Sequence, residues 1–147
     1  MTDGTPTSGE EGTISMFTVF FTIIVFLLAG LLVDGGLAIH ARQRAADIAE
    51  EAARAGANNI DIKTLRAGGK VQIIEDGPNG TTCAKAKTLI NAYTANIIAS
   101  TCDTPAGANR VDVTVTISAP LQFLSIVPNF QSFVMTGKAS AQPQTGN

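Results

Sequence analysis

Residues 13–33 read Thr13-Ile-Ser-Met-Phe-Thr-Val-Phe-Phe-Thr-Ile-Ile-Val-Phe-Leu-Leu-Ala-Gly-Leu-Leu-Val33, a run without one charged side chain that stops at Asp34. Coiled as a helix at about 1.5 Å per residue, the run is roughly 30 Å long, the thickness of a bilayer's hydrocarbon core. The chain therefore reads first as membrane-anchored. The rest of its 147 residues suffices for one small domain.

A cleaved signal peptide would need a basic leader, a shorter apolar core and a small-x-small cut site. Here Asp3, Glu10 and Glu11 precede the run, no Lys or Arg does, and no good A-x-A cut site follows, the first A-x-A being Ala53-Arg-Ala55, far beyond its end. The run is expected to stay as an anchor. A formal net charge of −2 offers no electrostatic basis for nucleic-acid binding. Orientation is contested. Arg42, Arg44 and Arg54 all lie after the run, which by the positive-inside rule places the C-terminal side in the cytoplasm. The pair Cys83 and Cys102 argues the opposite, because disulfides persist in oxidising compartments.

Beyond Asp34 the pattern stays helical. Ala41-Arg-Gln-Arg-Ala-Ala-Asp-Ile-Ala-Glu-Glu-Ala-Ala-Arg-Ala55 is almost all strong helix formers. Leu37, Ala41, Ala45, Ile48, Ala52 and Ala55 recur at three- and four-residue steps, a narrow apolar stripe. Glu50 and Arg54 form an i,i+4 pair, and Gly56 is a plausible stop. The simplest reading is one continuous helix over about 14–56, lipid-embedded in its first half and amphipathic in its second. A break at Gly35-Gly36 is the alternative. The alanine stripe is expected to carry the distal domain's own sheet, while its small residues also allow another helix to approach.

Downstream, Lys70-Val-Gln-Ile-Ile-Glu75 reads as a short strand and Asp76-Gly-Pro-Asn-Gly80 as a turn. Thr81 or Thr82 is a candidate cap for a helix whose apolar face is Ala86, Leu89, Ile90, Tyr93 and Ile97. Val111, Val113, Val115 and Ile117 alternate with polar residues, a half-buried strand, and Phe133–Ser140 is a last strand. The fold class expected is α+β: a long N-terminal helix, then one short helix on an antiparallel sheet of three to four strands. The domains are a polar leader at 1–12, a stem at 13–57 and a small domain at 58–147.

The cysteines constrain this layout. A helix unbroken from Cys83 to Ser100 would hold its ends about 25 Å apart, whereas a disulfide needs Cα atoms within about 7 Å. If the helix stops near Ala95 or Asn96 and Ile97–Cys102 runs back as a strand at roughly 3.3 Å per residue, Cys102 returns to Cys83. The same strand can then pair with 110–118. A loop of this length closed by a disulfide contributes about 3 kcal/mol in the chain-entropy picture.

Motifs for catalysis are missing. His40 is the lone histidine and sits in the long helix. Gly68-Gly69-Lys70 lacks the spacing of a phosphate loop, and there is no C-x-x-C, H-E-x-x-H or G-x-S-x-G. No enzyme, cofactor or metal site is expected. Asp34 reads as a helix-boundary marker, although acids in membranes are often functional. The apolar stretch Pro120–Phe130 is expected to cover the sheet edge or the bottom of the core. A docking role for it is the alternative, with Phe123 and Leu124 as interface candidates beside Gly30, Asp34, Gly35 and Gly36.

The polar leader ending at Gly12, the uncharged run, Val33-Asp34-Gly35-Gly36 and then Ala41–Ala57 together resemble TadE/TadG-like pilus-assembly proteins, the short forms of high-GC Gram-positive bacteria in particular. The resemblance implies a minor pilin-like or pseudopilin-like subunit of a tight-adherence (Flp-type) pilus machine. It would be a single-pass membrane protein with its N-terminus cytoplasmic and its globular part outside, in accord with the cysteine pair. Its implied partners are the membrane and other pilin-like subunits, met through the stem helix. It also implies a prepilin-peptidase cut between Gly12 and Thr13. Glu10 and Glu11 stand where such precursors carry basic residues. Phe17 stands at the fifth mature position, where major pilins carry the Glu that neutralises a neighbour's N-terminal amine. The pattern therefore points to an accessory subunit rather than a polymer-forming one.

Overall fold

The computed structural model describes residues 10–126, 128 and 131–144, with side chains from Ile14 onward. Most of the polar leader, at 1–9, lies outside the described residues, as do the last three residues and parts of Pro120–Phe130. The elements are α1 (Glu10–Ala57), α2 (Ile62–Arg66), α3 (Thr81–Ala92), β1 (Ile97–Asp103), β2 (Val111–Pro120) and β3 (Ser132–Ala141), with a 3-10 turn at Leu124–Ile126. The class is α+β, a long apolar helix followed by a small domain with a helix on a three-stranded antiparallel sheet.

α1 runs unbroken for 48 residues, roughly 72 Å at helical rise. Gly35 and Gly36 do not interrupt it. Its two halves live in different environments. From Ile14 to Val33 every side chain is exposed except at Gly30. From Ala41 on, Ala45, Ile48, Ala49, Ala52, Ala53 and Ala57 are buried in the core. The amphipathic half is thus the backbone of the domain's core, as the alanine stripe predicts. The buried face is shifted from that stripe: Ala49, Ala53 and Gly56 join it, while Leu37 is exposed and Ala55 only half-buried.

The sheet order is β1-β2-β3. Central β2 alternates strictly, with Val111, Val113, Val115, Ile117 and Ala119 turned to the core. β3 faces α1 through Phe133, Met135, Gly137, Ala139 and Ala141. Side-chain size falls sharply along that row at Gly137, opposite Ala45. The helix can therefore lie closest to the sheet there, and it crosses at that point.

α3 ends at Ala92, earlier than the 95–96 expected, and β1 turns back beside it. Cys83 on α3 and Cys102 on β1 are joined, with Cα atoms 5.6 Å apart. Cys83→Ser is expected to cost about 3 kcal/mol of stability under oxidising conditions. Chemical denaturation with and without reductant checks this: the wild type should lose that margin when reduced, and the variant should be indifferent to reductant.

Two local readings need correction. Lys70–Glu75 is not a strand; among the described residues its ladder contact is a single bridge between Ile73 and Ile60. The segment's polar groups are taken instead by side chains and loops. Asn109, at φ 47°, accepts from the Ile73 amide at 2.9 Å and donates to the Val71 carbonyl at 3.1 Å. The bridge itself is made by the Asp61 amide donating to Gln72 and the Ile74 amide to Asn59. Second, neither Thr81 nor Thr82 caps α3. Gly80 is the N-cap residue and makes no side-chain bond. Asp76 supplies the acceptor from the preceding turn, taking the Thr81 amide and, at 2.6 Å, the Thr81 hydroxyl.

Burial works against the Asp76 carboxylate, but the Thr81 and Thr82 donors outweigh it and hold its pKa below the ordinary value. A depressed carboxylate pKa stabilises the fold above the unfolded value, about 3.9, and that contribution is lost as pH falls through the folded one. Asp76→Ala is therefore expected to lower stability at neutral pH by about 1 kcal/mol, a capping loss. The gap to wild type should close below about pH 4. Melting curves across pH 2–7 check it, and a gap constant with pH overturns it.

Candidate functional site

The first half of α1 carries its own polar groups into an apolar setting. The Thr18 and Thr22 hydroxyls donate to the carbonyls of Ile14 and Thr18, at 2.9 and 2.8 Å, and so leave no unmet donor. Phe17 and Phe21 stack with ring centroids 6.2 Å apart. Among the described residues α1 is the one helix long and apolar enough to cross a membrane.

Between residues 14 and 40 only Gly30 and Asp34 are buried, and they lie one helical turn apart on one face. Both are covered by the loop that follows β2. A Cβ at Gly30 would lie 2.9 Å from the Phe123 Cβ, so glycine here makes room for the loop. Asp34 is wholly enclosed. Its Oδ1 accepts from the Gln122 amide at 2.9 Å, and its Oδ2 from the Leu124 amide at 2.7 Å. The Phe123 amide reaches both oxygens, at 3.3 and 3.1 Å. The carboxylate thus gathers three consecutive amides of the loop. Leu121 seals the upper side and is buried.

This corrects two expectations. Asp34 is not a boundary marker of the helix; it is a clasp for a loop 88 residues away in sequence. The described part of Pro120–Phe130 docks on the stem through Gln122, Phe123 and Leu124 rather than lying along the sheet edge, while Leu121 is buried with the core. Of the residues singled out by sequence, Gly30, Asp34, Phe123 and Leu124 are brought together at this clasp. Gly35 and Gly36 are not, having nothing within 4 Å of a built Cβ. Gly12 and Thr13 lie in the first turns of α1. Cys83 and Cys102 hold the far end of the domain.

The opposite end is tied by a second polar cluster that sequence reading overlooked. Asn59 donates to the hydroxyls of Thr81 and Thr82 at 3.0 and 2.9 Å, and Lys85 donates to its carbonyl oxygen at 2.7 Å. Tyr93 donates to Glu51, whose carboxylate holds the phenol pKa above its ordinary value. These contacts join α3 to α1 and bring no catalytic pairing. His40 stands exposed on α1. Among the described residues no group of three or more His, Cys, Asp or Glu could hold a metal ion.

The likeness to a known family falls on the stem. Residues 12–59 match the family model described as "Putative Flp pilus-assembly TadE/G-like". The chain carries a TadE/G-like pilus-assembly segment. The match spans α1 almost from end to end and runs just past its last residue, Ala57, to residue 59. The family is one of pilus-assembly components and not of enzymes. No curated protein and no solved structure matches the chain.

Proposed function

We propose that this TadE/G-like chain is a non-enzymatic accessory subunit of a Tad/Flp-type pilus or a related secretion assembly. A single pass of α1 holds it in the membrane, the N-terminus in the cytoplasm and the disulfide-bonded domain outside. The observation that carries this reading is the family match over residues 12–59, laid along a helix whose first half is exposed and apolar. The Cys83–Cys102 bond supports the extracytoplasmic side, since such bonds are rare in reducing compartments.

Two measurements test the proposal. Intact mass of the membrane-extracted chain is expected to show loss of residues 1–12, the product of a cut between Gly12 and Thr13. Crosslinking in the native membrane is expected to capture other pilin-like subunits through the stem. A full-length mass together with no captured subunit overturns the pilus role. The second reading, a tethered extracytoplasmic binding domain outside any filament, is favoured by one feature. Phe17 has no carboxylate to meet a neighbouring subunit's amine in lipid.

A further inference from the structure

The loop at 121–126 sits beside a helix segment that belongs in lipid, and its chemistry fits that setting. We propose that this loop enters the bilayer leaflet on the distal domain's side, placing Phe123, Leu124 and Ile126 among acyl chains while Asp34 holds the loop's amides. The proposal rests on the reading of the first half of α1 as a membrane span.

Depth is the first argument. Gly30 precedes Asp34 by one turn and lies about 6 Å deeper along the axis, inside the uncharged run. Phe123 packs directly on it. Enclosing Asp34 also lengthens the apolar exterior of the stem. Leu37 and Ile39 are exposed beyond it, and the first exposed charge is at Arg42. The outward face from 14 to 39 is then roughly 39 Å long, more than the roughly 30 Å of a hydrocarbon core. The clasp lies within that length.

The second argument is backbone chemistry. Irregular backbone is tolerated at membrane depth only where its polar groups are met by protein. Asp34 takes the amides of Gln122, Phe123 and Leu124. The Leu121 amide donates to Gln131, the Ile126 amide to Phe123, and the Ser125 hydroxyl to Gln122. An acid at this position is costly in lipid unless paired, and here three amides pair it.

The third argument is the side chains. Phe123 is 53% exposed and Ile126 85%. With Ile23, Phe26, Leu27 and Leu31 they line an open apolar notch continuous with the outer surface of the span. From Val113 through Gly137 there is no charged residue. The charges of β2 and β3, Asp112 and Lys138, sit in the half of the hairpin remote from the loop that joins Pro120 to Ser132. A docking face for a protein partner gains register and specificity from charge; a tip bound for lipid excludes it. The occupant favoured is therefore the bilayer and not a second copy of this chain.

The chain has no tryptophan, so a single introduced one reports its own surroundings. The full chain is reconstituted into phosphatidylcholine vesicles brominated on the acyl chains. Three variants are compared: Ile126→Trp on the loop, Phe20→Trp in the span, and Ile98→Trp on the exposed face of β1. Ile126→Trp and Phe20→Trp are expected to lose most of their emission to bromine, and Ile98→Trp to keep it. Phe123→Trp repeats the loop test at a second site. Quenching at Phe20→Trp with Ile126→Trp and Phe123→Trp behaving like Ile98→Trp overturns the loop's insertion and leaves the span intact. No quenching at Phe20→Trp overturns the span itself. Loop emission shielded from aqueous iodide, unquenched by bromine and dependent on the protein-to-lipid ratio assigns the patch to a second copy and overturns the proposal.

Discussion

Gly137→Ala is expected to destabilise the folded domain by about 4 kcal/mol or more, beyond the usual cost of an overpacked core. The reason is what the added methyl meets. A Cβ built at Gly137 lies 2.3 Å from both the Ala45 carbonyl carbon and the Ala46 nitrogen, and 2.5 Å from the Ala45 oxygen. Ordinary carbon contacts are about 3.5–4.0 Å, so α1 and β3 must separate by more than about 1 Å. Overpacking is usually relieved by a flexible side chain that swings away, but here the obstacle is helix backbone. The strand cannot yield alone either, since Gly137 is paired with Val115 on central β2. Any separation opens the layer that buries Ala45, Ile48, Ala49 and Val115. Ala45→Gly does not rescue the variant, because the clash is with atoms every residue has. Urea unfolding of the full chain in detergent micelles measures the loss. A midpoint within error of wild type would show that helix and strand are not held as closely as described.

That contact also marks the limit of sequence reading for this chain. The long helix, the β1–β2 hairpin and the last strand were legible because each rests on a local period: an uncharged run, an alanine stripe, and strict alternation from Val111 to Ile117. The turn-back after α3 followed from reach, since with Cys83 and Cys102 taken as a bonded pair only a helix that stops and a strand that returns bring them together. What was illegible depends on partners far away in sequence. Lys70–Glu75 has the composition of a strand, yet Asn109 occupies the groups that a neighbouring strand would have used. Gly137 looks like any glycine in a strand until α1 is laid across it. α2 is a different kind of omission. Asp61 accepts the amides of Lys63 and Thr64 and the Thr64 hydroxyl, and an aspartate ahead of Ile-Lys-Thr-Leu-Arg is a readable start signal. Asp34 shows how a residue at an expected boundary can hide a role, since nothing near it in sequence names the loop that it binds.

Asp34→Ala is expected to release the 121–126 loop from the stem, and Asp34→Asn to do nearly as much. Alanine leaves the part-buried amides of Gln122, Phe123 and Leu124 without their acceptor, and a donor that cannot re-pair while the loop stays docked pays its desolvation penalty. Asparagine keeps one oxygen and turns an NH2 toward the other amides. Because both Asp34 oxygens accept, one donor then faces another whichever way the amide is oriented. Glutamate retains both oxygens but is a methylene longer, and it must displace a loop already packed on Gly30. The loop will leave rather than stay with unmet donors, carrying Leu121 out of the core and uncovering the face of α1 at Gly30. Hydrogen exchange of the full chain in lipid nanodiscs is the direct measurement. The amides of residues 122–124 should lose protection in Asp34→Ala and Asp34→Asn, while those of β2 between Val111 and Ile117 keep theirs. Unchanged protection at 122–124 would mean that packing of Phe123 on Gly30, and not the carboxylate, holds the loop. The discriminating partner is Phe123→Ala, which removes the packing but keeps the amides and the acceptor. With the clasp as the main restraint, it should preserve most of the protection that Asp34→Ala abolishes.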